Sequence, residues 1–143
     1  MPHLDPYESL GFYCGLTFKA FISSVEKKLK GTGVSPAQFL ALAHLVALGP
    51  LSQSELVDRL SITKATGVRL VDRMERDGWV VRQANPKDGR VKRVVPTKRA
   101  IEVWDKVSQA GRSVLDQAYR GVHTSEIETV KRILERIRRN LTR

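Results

Sequence analysis

The sequence has a single cysteine among its 143 residues. That excludes a disulfide within the chain and any cysteine-based zinc finger, and it suits a reducing compartment. No apolar run approaches the ~18 residues of a membrane span. The opening Met1-Pro2-His3-Leu4-Asp5 lacks the basic n-region of a signal peptide. The expectation is a cytoplasmic protein with no membrane contact. The three histidines, His3, His44 and His123, are scattered, and no P-loop, GxSxG or HExxH sequence occurs. No His, Cys and Glu cluster stands at ligand spacing, so neither an enzyme nor a protein carrying a metal or cofactor is expected. Acidic residues are short too: 15 Asp and Glu face 25 Lys and Arg.

What is present is a folded chain. Apolar residues make up 41% and charged residues 28%, and the length suits one domain with a real core. The net charge of +10 points to an anionic partner, most simply nucleic acid. The excess is uneven. Residues 51–81 carry five basic and five acidic side chains. Residues 82–99 hold Arg82, Lys87, Arg90, Lys92, Arg93, Lys98 and Arg99 against Asp88 alone, a net +6.

From Pro6 to about Lys30, Leu10, Cys14, Phe18, Phe21, Val25 and Leu29 recur at three- and four-residue steps, the pattern of an amphipathic helix. Gly31 and Gly33 end it. Ser35 as N-cap and Pro36 at the first helical position open a second helix, apolar on most sides, which stops at Gly49-Pro50. Ser52-Gln53-Ser54-Glu55 is a capping box that starts a short helix to Leu60. After the Ser61-Ile62 turn, Thr63 caps a helix of about four turns, closed by Gly78. Two short helices joined in this way are a helix-turn-helix. Residues 79–82 and 91–95 have strand composition and flank the turn-rich segment 85–90, predicting a basic β-hairpin. Pro96-Thr97 ends it, with Thr97 as cap of a long helix from Lys98 to about Gly121. A second box, Ser125-x-x-Glu128, is expected to open the last helix. There Ile127, Val130, Leu134, Ile137 and Leu141 step 3-4-3-4, a coiled-coil seam.

The major groove of B-DNA admits one α-helix. On the helix after Thr63, Gly67, Leu70, Val71 and Met74 form the packing side. Thr63, Lys64, Ala65, Val68 and Arg69 lead into the groove, Ala65 and Val68 being short enough to meet thymine methyls and Arg69 able to fork onto guanine. Arg73 and Arg76, further along, suit phosphates. The hairpin supplies the missing cations: Lys87, Lys92 and, at its tip, Arg90, suited to a narrow minor groove. Asp88 is placed to hold the Arg90 guanidinium.

At this point the chain resembles the MarR family of winged-helix transcriptional regulators over nearly its whole length. The central signature is similar to Leu60–Glu75 (LSITKATGVRLVDRME), continuing through Asp77-Gly78-Trp79-Val80-Val81-Arg82. The wing motif Asp-x-Arg is met by Asp88-Gly89-Arg90 and the strand exit by Val94-Val95-Pro96-Thr97. Gly67 stands where the family usually has an apolar β-branched residue, Pro96 where it has Leu, and Ala100 where it often has Gly.

The resemblance implies a mainly α fold with a small β-hairpin wing. Residues 34–97 would form the winged helix-turn-helix lobe, and residues 1–33 and 98–143 a helical dimerisation lobe. It implies a homodimer, with Leu10, Ile127, Val130, Leu134, Ile137 and Leu141 at the contact. Two-fold symmetry implies a pseudo-palindromic operator with half-sites about 10 bp apart. Ser52, Thr63, Lys64, Ala65, Val68, Arg69, Arg73, Lys87, Arg90 and Lys92 would touch double-stranded DNA, and the protein would act as a ligand-responsive repressor. The family binds small aromatic or carboxylate effectors between its lobes, which here would place Phe12, Tyr13, Phe39, His44 and Trp104 around the ligand. Cys14 evokes the peroxide-sensing branch, but it lies one helical turn past that branch's cysteine, on the apolar seam, and reads as an inert core cysteine. The alternatives are a winged-helix protein–protein interaction module or an architectural DNA binder without sequence preference.

Overall fold

The computed structural model describes Met1 and residues 3–143; Pro2, part of the N-terminal stretch read above, lies outside the described residues. The elements follow in the order α1 (Leu10–Lys28), α2 (Pro36–Leu48), β1 (Leu51–Ser52), α3 (Gln53–Leu60), α4 (Lys64–Arg76), β2 (Val80–Ala84), β3 (Lys92–Pro96), α5 (Lys98–Ala118) and α6 (Thr124–Leu141). The protein is mainly α-helical with one small antiparallel sheet in the order β1-β3-β2.

Caps set most of these boundaries. Ser35 and Gln38 bond reciprocally at the start of α2, as do Ser52 and Glu55 at the start of α3. Thr97 accepts the Ala100 N–H at 3.2 Å and donates to the Gly78 carbonyl at 2.7 Å, so the cap of α5 also ties down the end of α4. Gly78 adopts φ 83°, and the Trp79 and Gly78 amides return to Met74 and Glu75, which satisfies the last carbonyls of α4. Three expectations need correction. A 3-10 turn covers Pro6–Glu8, and α1 begins only after the Ser9 cap. The start of α6 is set by Glu126, whose carboxylate accepts the His123 N–H at 3.0 Å; Ser125 lies inside the helix, because the chain turns helical one residue after His123. The two-residue strand β1 was not expected, since Ser52 reads as a helix cap and serves as both.

One core joins the molecule. Leu42, Leu45, Leu56, Val71, Met74, Val80, Val94 and Val107 are all buried, with Val25 and Leu29 at the end of α1 and Val114 on α5 at its edge. From Leu10 to Ala20 every residue of α1 is exposed, and no residue of α6 is buried. Cys14 is therefore exposed, not in the core, because no other element among the described residues buries that half of α1.

Candidate nucleic-acid interface

Helices α3 and α4 meet through a tight turn. Ser61 takes a left-handed conformation (φ 54°), unusual for a residue with a side chain. The Ser61 amide bonds to Asp58 and the Ile62 amide to Val57. Gly67 explains how close the helices come: a Cβ built there would fall inside the van der Waals surface of the Val57 side chain. The departure from the family's β-branched residue is thus matched by Val57, which occupies the space.

With Gly67, Val71 and Met74 buried against the body, α4 presents its opposite side. Thr63, Lys64, Ala65, Arg69 and Arg73 are exposed, as sequence spacing requires. Val68 is half-buried on the flank, which makes it less available than Ala65. Thr66, not singled out in the sequence, joins this surface: its hydroxyl receives the Thr63 hydroxyl at 2.9 Å and lies 3.5 Å from the Arg69 guanidinium. Thr63 also accepts the Thr66 N–H at 3.2 Å. The three side chains form a short polar ladder along the exposed edge. The signal was the same i, i+3 spacing that caps the helix. Ser52 is half-buried, and its hydroxyl oxygen accepts the Glu55 N–H at 3.1 Å, leaving the hydroxyl hydrogen for an outside acceptor.

The wing rises beside α4. In its register Arg82 pairs with Val94, Gln83 with Arg93 and Ala84 with Lys92. The tip is knit by two side-chain turns: the Lys87 amide bonds to the Asn85 side chain at 2.9 Å and the Arg90 amide to Asp88 at 3.1 Å. Asp88 therefore shapes the backbone and leaves the Arg90 guanidinium unheld, contrary to the sequence expectation. Lys87, Arg90 and Lys92 are exposed.

The cationic excess of residues 82–99 is smaller in effect than in count. Arg82 gives its charge to the protein, reaching Asp72 at 2.7 Å and Glu75 at 3.1 Å. Arg99 lies over the Trp79 ring at 4.2 Å and bonds the Asp77 carbonyl. Lys98 approaches Glu102 at 4.0 Å. Lys98 and Arg99 stay exposed at the start of α5, and Lys87, Arg90 and Lys92 carry the outward charge of the wing near its tip.

The five residues expected around an effector do not converge. Phe39 and Trp104 do: their rings stack at 5.9 Å and line an apolar cavity of about 490 Å³ between α1, α2 and α5. Ser108 and Arg112 are its polar members. Gly111 makes room for Phe39, since a Cβ there would stand 2.5 Å from the ring. Phe12 instead packs edge-on between Tyr7 and Tyr13 at the start of α1. His44 bonds the Leu40 carbonyl through Nδ1 at 2.8 Å. Neither Phe12, Tyr13 nor His44 lines that cavity.

A helix-turn-helix with an exposed second helix, flanked by a cationic hairpin, defines a winged-helix DNA-binding protein. Residues 32–91 match the model of the MarR family. Over that stretch the chain is similar to that family of DNA-binding transcriptional regulators. The HTH-type transcriptional repressor MdtR of Bacillus subtilis is 31% identical over 105 residues, 73% of this chain and 64% of that protein. Transcriptional regulator PA3341 is 29% identical, with a TM-score of 0.85 covering 94% of this chain and 98% of that one. A mutant MarR from E. coli complexed with operator DNA shares the fold, with a TM-score of 0.80 at 22% identity over 90% of this chain and 92% of its own. No helix among the described residues is long and apolar enough to cross a membrane.

Proposed function

We propose that this protein is a sequence-specific repressor that binds a pseudo-palindromic operator as a homodimer and is released by a small effector. The observation that carries the reading is the outward face of α4. Lys64, Ala65, Thr66 and Arg69 stand exposed at the helix's leading end, while the opposite face is locked into the core. Arg69 would fork onto a guanine and Ala65 meet a thymine methyl. Ser52, Thr63 and Arg73 would hold phosphates, with Val68 at the edge of the groove. Lys87, Arg90 and Lys92 would anchor the wing, Arg90 in the minor groove. Residues 34–97 form the reading lobe in this view, and residues 1–33 with 98–143 the dimer lobe.

The homodimer is supported by the apolar surface left open. Leu10, Val130 and Leu141 are exposed, Ile127, Leu134 and Ile137 are half-buried, and a groove of about 560 Å³ runs between α6 and the α1–α5 face. An 18-residue helix with no buried residue needs a partner surface to persist in water. The Phe39–Trp104 cavity would take the effector, an aromatic or carboxylate compound, with Arg112 as the available cation.

Selection of bound sequences from random DNA, followed by footprinting, tests the reading. A protected palindrome whose affinity survives excess random DNA is expected. Weak binding equal on all sequences and abolished by moderate salt would make the protein an architectural binder instead. Absence of DNA binding would leave a protein-interaction module. Repeating the selection with a panel of aromatic acids tests the effector, which should lower operator affinity.

A further inference from the structure

Arg82 stands at the base of the wing, where β2, β3 and β1 lie side by side: it pairs with Val94, and Val94 with Leu51. Its side chain is only 20% exposed, unlike Lys87, Arg90 and Lys92 further out. Nη2 donates to Asp72 at 2.7 Å and to Gln53 at 3.1 Å, and Nη1 donates to Glu75 at 3.1 Å. The same Glu75 carboxylate accepts the Arg82 backbone N–H at 3.2 Å. One residue thus bonds the first residue of α3 and two turns of α4 through its side chain, and its backbone N–H ties the strand to the same Glu75.

The charge balance decides what this arrangement does. Two carboxylates surround one guanidinium, so the cluster carries a net negative charge on the DNA side of α4. A phosphate approaching Arg82 would meet Asp72, which is 61% exposed, and be repelled. Charge-assisted bonds of this geometry are directional as well as strong. We propose that Arg82 is a positioning residue for DNA reading: it makes no contact with DNA, and it fixes the angle between the wing and the reading helix through Asp72, Glu75 and Gln53. The inference rests on the DNA-binding reading above, but its first test does not.

That test is amide hydrogen exchange on the full chain without DNA. Arg82→Met, and separately Asp72→Asn with Glu75→Gln, should each accelerate exchange in residues 80–84 and 92–96 at least tenfold and leave α5 unchanged. Unchanged protection of the wing in either would overturn the proposal. The second test uses DNA selected by the wild-type protein, at a temperature where circular dichroism finds every variant folded. Arg82→Met should lower the ratio of selected-site to random-DNA affinity at least tenfold with the salt dependence unchanged. The Asp72→Asn/Glu75→Gln pair should do the same, and adding Arg82→Met to it should cost nothing further. Arg82→Lys, which keeps the charge but reaches fewer acceptors, should fall between. If Arg82 instead held a phosphate, Arg82→Met would weaken both DNAs equally and reduce the slope of log K against log salt by about one, while Asp72→Asn/Glu75→Gln would tighten binding. A variant that lowers the melting temperature but leaves the affinity ratio intact marks a merely structural role and also overturns the proposal. If the wild type selects no sequence, the DNA reading fails, and hydrogen exchange still decides whether Arg82 holds the wing.

Discussion

The segment from α2 to β3 and the pair formed by α6 with the first half of α1 are built to different standards of completeness. In the first, each helix buries one face, each helix start is capped by a side chain, and both strands of the wing are tied into a three-stranded sheet. In the second, Leu10, Leu16, Phe18, Val130, Ile133 and Leu141 remain between 47% and 79% exposed. Large apolar side chains gathered in this number on two helices mark a surface suited to association. The difference teaches that the reading part is finished within one chain, while on the proposed reading the other part would be completed by association.

The sharpest way to break this comparison is to charge the unfinished side. Leu134→Glu with Ile137→Glu should convert the homodimer to monomer in sedimentation. Operator affinity should fall by about 10²–10⁴, the factor gained by coupling two half-sites. Retained dimer would show that another surface assembles the protein. The next largest effect probes the finished side. Gly67→Val must displace Val57 and should cost about 1–3 kcal/mol of stability by overpacking, read in denaturant unfolding; a neutral result would mean α3 and α4 have slack. Within the reading part, Arg69→Ala should cost about 1–3 kcal/mol on the selected site and leave random DNA nearly unaffected. Lys92→Ala should have the smallest effect, a uniform weakening on all DNA with the salt slope reduced by about one. Equal behaviour of these two variants would erase the division between a helix that chooses and a wing that anchors.

Much of this architecture was legible in the sequence because local rules wrote it. Helix starts at Ser35, Ser52, Thr63 and Thr97 follow from cap chemistry within four residues, and the hairpin from its turn residues. What stayed hidden depends on partners far along the chain. Arg82 counts as a surface cation until Asp72, Glu75 and Gln53 are seen around it. Gly67 reads only as a departure from the family's β-branched residue until Val57 is found against it. Phe12, Tyr13 and His44 share helices with Phe39 or with the apolar wall around it, but helical phase turns them away from the cavity. At the last helix a better-looking box, Ser125 with Glu128, outcompeted the true start two residues earlier at His123, whose N–H donates to Glu126.

The contact between Gly67 and Val57 also bears on how such a protein acquires new targets. Residue 67 has no room for an added atom, while residues 64, 65, 66 and 69 border open solvent. A library randomised across α4 should therefore separate cleanly: changes on the open edge yield folded proteins with altered preferences, and changes at the closed position survive only with a smaller residue at 57. Retargeting would proceed through four or five adjustable positions around one that is nearly immovable. The same tightness that holds the helix still for reading limits the route by which its reading changes.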